Sequence, residues 1–177
     1  MGYTTDFTGS FQLNTPLTDE QSKYLHKFNR TRRMKLDPSQ LQTVPDPIRT
    51  AVGLPLGLEG EYFVGFEDED QMGYKIPRVD GNKPPTSQPG LWCGWCPTSD
   101  NTGIEWDGGE KFYYYSEWLD YLIQNFIKPW NLVLNGVVKW QGQRQEDTGE
   151  IVVKDNIIQI VSSQSNLKKL YRSFAMY

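Results

Sequence analysis

The chain has 177 residues, a formal charge of −4 from 18 basic and 22 acidic side chains, and 14% aromatic residues. Such a length buries about 70% of the unfolded surface, so neither a disulfide nor a metal is needed to hold a core. The negative sign disfavours wholesale attraction to nucleic acid or anionic membranes, and no stretch approaches the roughly 18 apolar residues of a membrane span.

The start, Met1-Gly2-Tyr3-Thr4-Thr5-Asp6, lacks the basic and then apolar run of a secretory signal. With two cysteines and no export signal, the expected compartment is the reducing cytoplasm.

From Tyr3 to Leu13 the odd positions carry Tyr3, Phe7, Phe11 and Leu13, and the even ones Asp6, Thr8, Ser10 and Gln12. A period of two over eleven residues predicts a strand with one buried face. Thr18-Asp19-Glu20-Gln21 then offers a capping box, with Tyr24, Leu25 and Phe28 at helical spacing behind it. This helix is predicted to run to about Met34, where Arg30, Arg32, Arg33 and Lys35 complement its dipole. Between Gly53 and Gly90, 12 of 38 residues are Gly or Pro, which is long-loop composition. Within it, Glu61-Tyr62-Phe63-Val64 reads as a short strand, and the acidic cluster Glu67, Asp68, Glu69 and Asp70 follows.

A hairpin is predicted next, with arms Leu91–Cys96 and Ile104–Asp107. After Gly108-Gly109 comes the strongest pattern: Tyr115, Trp118, Leu119, Leu122, Ile123, Phe126 and Ile127, an apolar helix stripe that Pro129 ends. Leu132 to Trp140 alternates as a strand, Ile151-Val152-Val153 and Ile157–Val161 form a hairpin around Asp155-Asn156, and a short helix is expected near 166–174.

The order predicts an α+β fold: one antiparallel sheet with two main helices on one face, compatible with a ferredoxin-like topology, plus a C-terminal hairpin and short helix. It is read as one domain over 1–177, with 53–90 as an insertion.

Both cysteines fall in "WCGWCP", residues 92–97. A redox Cys-x-x-Cys places its first sulfur at a helix N-terminus, where the dipole lowers the thiol pKa. Here a turn sequence follows Cys96, and on a strand Cys93 and Cys96 point to opposite faces, out of disulfide reach. The motif therefore reads as an aromatic strand. Zinc is no better served, since two Cys and the lone His26 cannot supply four soft ligands. No cofactor is expected.

Glu105 and Asp107 share a strand face, and Glu110 and Lys111 follow at an expected helix start. Paired carboxylates can divide acid and base roles or hold a cation, so this segment carries the alternative of an enzyme or small-ligand binder. More often such a pair is a solvated sheet face. Arg30, Arg32, Arg33 and Lys35, extended by Lys168, Lys169 and Arg172, carry a second alternative, nucleic-acid binding, against the plainer reading of helix-end complementation.

The phrases "GYTTDFTGSF", "TRRMK", "PGLWCGW", "IEWDGGEKFY", "EWLDYLI" and "VLNGVVKWQG" with "DTGEIVVKDN" resemble an uncharacterised protein family of bacteria and tailed phages. The second half is also similar, more faintly, to the ferredoxin-like domain of YubB-type plasmid and phage proteins. The resemblance implies no activity and transfers no catalytic residue. The expectation is a small cytoplasmic accessory protein of phage or mobile-element type, in the host cytoplasm if phage-encoded. The absence of a catalytic constellation, the many aromatics and the acidic loop point to binding of another protein. The expected contact surface is Glu67–Asp70 with Trp92, Trp95 and Trp106.

Overall fold

The computed structural model describes residues 2–65 and 75–163. The acidic cluster Glu67–Asp70 and the helix expected at 166–174, with Lys168, Lys169 and Arg172, lie outside them. The fold is α+β, as the sequence predicts, with its strands in antiparallel pairs. The chain divides into two compact units: a sheet unit of Met1–Pro16 with Gly94–Tyr177, and an inserted unit of Leu17–Cys93. The insertion is thus wider than the 53–90 loop that composition marks, because the first helix belongs to it.

In the sheet unit, β1 (Thr5–Thr8) and β2 (Ser10–Leu13) are the predicted first strand, broken only at Gly9. Both pair with β7 (Leu134–Gly142) in one continuous register, Phe7 opposite Trp140 and Phe11 opposite Gly136. Gly9 takes φ +103°, and a Cβ there would stand 2.9 Å from the Val137 carbonyl oxygen, so the kink requires glycine. The alternation holds: Thr5, Phe7 and Phe11 are buried while Asp6, Thr8 and Gln12 are exposed.

β5 (Trp95–Pro97) and β6 (Gly103–Trp106) make the predicted hairpin, with Trp95 opposite Trp106. The first arm is shorter than Leu91–Cys96. β7, β8 (Thr148–Lys154) and β9 (Ile157–Ser162) form a meander, and Asp155 and Asn156 both take positive φ in its tight turn.

Helix α4 (Tyr115–Leu122) runs into a π-helical turn, Ile123–Ile127. The whole stripe from Trp118 to Ile127 is buried, each large side chain contributing about 1.5–3 kcal/mol. The helix begins five residues later than the Glu110 start expected from sequence, since Lys111 and Tyr114 take left-handed backbone angles that no α-helix accepts.

The sheet order is β5-β6-β2-β7-β8-β9, with β1 beside β7. Because β6 and β7 flank β2, β6-α4-β7 is one split β-α-β unit. A ferredoxin-like sandwich needs two such units. The strand order supplies the second: β6 also lies between β2 and the parallel β5, so the order β5-β6-β2-β7 is compatible with the predicted ferredoxin-like topology. The β2-to-β5 crossover holds the first helix, α1 (Asp19–Arg30), and the rest of the insertion, where β3 (Lys35–Leu36) pairs with β4 (Arg78–Asp80) in a separate two-stranded sheet.

In the inserted unit the Thr18–Gln21 capping box forms in both directions, at 3.2 and 2.9 Å. α1 stops at Arg30 rather than Met34, because residues 33–36 bond sideways: the Arg33 N–H donates to Leu91 and the Lys35 N–H to Lys83. The short helices α2 (Pro38–Leu41) and α3 (Pro47–Ala51) follow, and Leu36, Leu41, Val44 and Phe63 form a core cluster. The expected strand at 61–64 does not form. Its Phe63 side chain enters this cluster, and the Glu61 and Phe63 carbonyls accept from the Arg33 guanidinium at 2.8 and 2.9 Å.

Candidate functional site

The two faces of the β1-β7-β8-β9 sheet are built by alternation. Phe7, Val138, Trp140, Ile151, Val153 and Ile158 point inward and are buried. The opposite face presents polar ends in rows set by the register. One row runs Thr8, Lys139, Glu150 and Val161. The next runs Asp6, Gln141 and Thr148, and the Thr148 hydroxyl donates to the Ser163 hydroxyl oxygen at 2.6 Å. Together these side chains, with Ser162, line an open cleft of about 630 Å³ that Trp140 and Gly149 help to wall.

Such a volume lies in the range of ligand sites. Beside the apolar Trp140 and Val161, the polar part of the lining is hydroxyls, one amide and charges of both signs: the Lys139 ammonium stands 3.7 Å from Glu150, and Asp6 adds a second carboxylate. An exposed pair of that kind contributes little to stability, so its groups are available to a ligand.

Beside this face the chain start is clamped. The Tyr3 hydroxyl donates to Asp147 at 2.5 Å, and the Trp140 indole N–H donates to the same carboxylate at 3.1 Å. The Tyr3 phenol is raised by that carboxylate bond, and the Tyr115 phenol is pushed up to about 12, first by burial and then by the charge of Asp147.

Among the aromatics expected on a surface, only Trp92 qualifies, at 50% exposed. Trp95 is 1% exposed and donates its indole N–H to the Tyr115 carbonyl at 2.7 Å, so it is core and not contact surface. Trp106 is half-buried, its ring 5.5 Å from Phe7. Cys93 is buried, Cys96 is half-buried, and neither is in a disulfide.

Glu105 is half-buried on β6, whereas Asp107, Glu110 and Lys111 are exposed in the segment after it. The Asp107 carboxylate accepts the Gly109 N–H at 2.8 Å, an Asx turn that explains the Asp-Gly-Gly sequence. None of the four lines the cleft. Among the described residues no group of three or more His, Cys, Asp or Glu side chains is placed to hold a metal ion.

The basic patch is largely consumed inside the inserted unit. Arg33 is 2% exposed and stacks on Phe28 at 4.3 Å, Arg32 donates to the Gly81 carbonyl, and Lys35 pairs with Glu59 at 3.0 Å. Arg33 is therefore withdrawn from any phosphate surface; Arg30 is exposed.

Sequence reasoning missed the cleft, because polar alternation on a solvated sheet face looks alike whether or not it is concave. It also missed Asp46, whose side chain is fully buried and which accepts the backbone N–H groups of Val64 and Gly65. Among the described residues no helix is long and apolar enough to cross a membrane. No family model, curated protein or solved structure matches the chain.

Proposed function

We propose that this chain is a small accessory protein of phage or mobile-element type that works in the cytoplasm by binding another protein. The cleft on the outer sheet face is its recognition surface. The resemblance of its sequence phrases supports the first part. The observation that carries the second is the cleft lining: hydroxyls, an amide and both signs of charge arranged in rows at strand spacing. An extended polypeptide offers matching donors and acceptors at that repeat. One ammonium against two carboxylates suits a peptide and repels a phosphate backbone.

The test uses the partner captured from host lysate by the wild-type chain. Lys139→Glu and Gln141→Trp, the second filling the cleft, are expected to release it with an unchanged circular dichroism spectrum. Undiminished capture by both variants would remove the cleft from the binding surface. Capture of nucleic acid in place of protein would overturn the partner class.

A further inference from the structure

Among the described residues the sheet ends in β5 on one side and β9 on the other, and the two ends differ. β5 at one end is three residues long and carries Pro97, which cannot donate to a further strand. β9 at the other end reads Ile157-Ile158-Gln159-Ile160-Val161-Ser162, with no charge, no proline and no bulge in its pairing with β8. Natural edges are usually blunted by one of those devices, because an open row of backbone N–H and C=O groups recruits another strand. Apolar side chains also remain partly uncovered here. Ile157 is 60% exposed, and Ile160 and Val161 are half-buried.

We propose that the occupant of this edge is a second copy of the chain, its β9 pairing antiparallel with the first across a two-fold axis. Residues directly opposite in an antiparallel pair lie on the same face of the sheet, so the axis must pass through a residue and not between two. Centred on Gln159, the symmetry sets Ile157 against Val161 of the second copy and Ile158 against its Ile160. Apolar ends meet apolar ends on both faces, and the amide meets its own copy at the centre. Centring on Ile160 would instead oppose Gln159 to Val161. No like charges face each other in the favoured register, so the strand is complementary to itself. The joined sheet would carry two clefts on one continuous face, since Val161 and Ser162 belong to both the edge and the cleft.

Sedimentation equilibrium of the full chain tests this. The wild type is expected to be a concentration-dependent dimer. Gln159→Lys and Gln159→Glu place like charges opposite each other, and each alone is expected to dimerise several-fold more weakly. Mixing the two is expected to restore the dimer, which happens only if the two copies of residue 159 are neighbours. Gln159 is exposed, so both variants should keep the wild-type circular dichroism spectrum; should either lose it, Ile157→Lys supplies the same readout. A monomeric wild type, variants that dimerise as well as the wild type, or a mixture that recovers nothing would each overturn the proposal.

Discussion

The Arg49 guanidinium donates to the Asp46 carboxylate at 2.7 Å, and the Asp46 side chain is wholly shielded from solvent. Burial raises the carboxyl's pKa, while the bonds from Arg49 and from the Val64 N–H oppose the shift. Arg49 also donates to the Leu54 carbonyl at 2.6 Å, so one carboxylate organises residues 46–65. Asp46→Ala leaves a largely buried guanidinium and two backbone N–H groups without their acceptor. Denaturant unfolding is expected to show a loss of about 3 kcal/mol.

Phe7 is the hub of the sheet unit's aromatic cluster. Its ring lies 4.9 to 5.9 Å from Trp95, Trp106, Phe112 and Tyr115, each in an edge-on arrangement. Phe7→Ala removes all four contacts and leaves a cavity, at a cost of about 3–5 kcal/mol. Phe7→Leu should recover more than half of that, which thermal denaturation of the pair would check.

Gly103 opens β6 where it crosses β2. A Cβ there would stand 2.2 Å from the Phe11 carbonyl oxygen, a backbone atom with nowhere to move. Gly103→Ala is expected to cost about 1–3 kcal/mol by forcing the strands apart. Gly53→Ala is the control for space, since nothing lies within 4 Å of its Cβ position, although its φ of +71° adds backbone strain.

Asp100 closes the β5–β6 turn by accepting from the Thr98 and Thr102 hydroxyls, each at 2.7 Å, and from the Thr102 N–H. These bonds, led by the Thr102 hydroxyl, lower its pKa from 3.8 to about 2. A carboxylate that is more acidic in the folded state stabilises above its unfolded value and loses that contribution as pH falls. The stability gap between wild type and Asp100→Asn is therefore expected to narrow from pH 3.8 down to about 2.

The cysteine pair is expected to show no disulfide chemistry. Cys96 should react with a thiol reagent in the native state, while Cys93, 1% exposed, should react only on unfolding. Reductant should leave the melting temperature unchanged. In "WCGWCP" only Trp95–Pro97 is strand and Cys93 precedes it, so insulin-reductase activity would contradict the structural reading of the motif.

The elements with strong periodicity were legible from sequence: the alternation through Phe7 and Phe11, the stripe from Trp118 to Ile127, the Thr18 capping box and the Asp155-Asn156 turn. Each is fixed by local chemistry. Arg33 and Asp46 were not legible, because a buried charge is specified by partners remote in sequence, such as the Phe63 carbonyl and the Gly65 N–H. Trp95 and Trp92 share one motif yet have opposite fates, since three residues decide strand or loop without stating which face is covered. The order β5-β6-β2-β7 was legible as a ferredoxin-like possibility from the run of elements, whereas the β3–β4 pair inside the insertion was not, because local pattern yields strands and only pairing between distant segments decides their partners.

The clamp between Tyr3 and Asp147 joins residues 144 positions apart. During synthesis the first strand therefore leaves the ribosome long before its partner β7, and all of Leu17–Cys93 emerges in between. The inserted unit can complete its own core while Phe7 and Phe11 wait uncovered. Closure of the sheet is the late event, and distant closures of this kind are slow. The opening residues of the chain are thus the ones most exposed to misassociation before the last strands arrive.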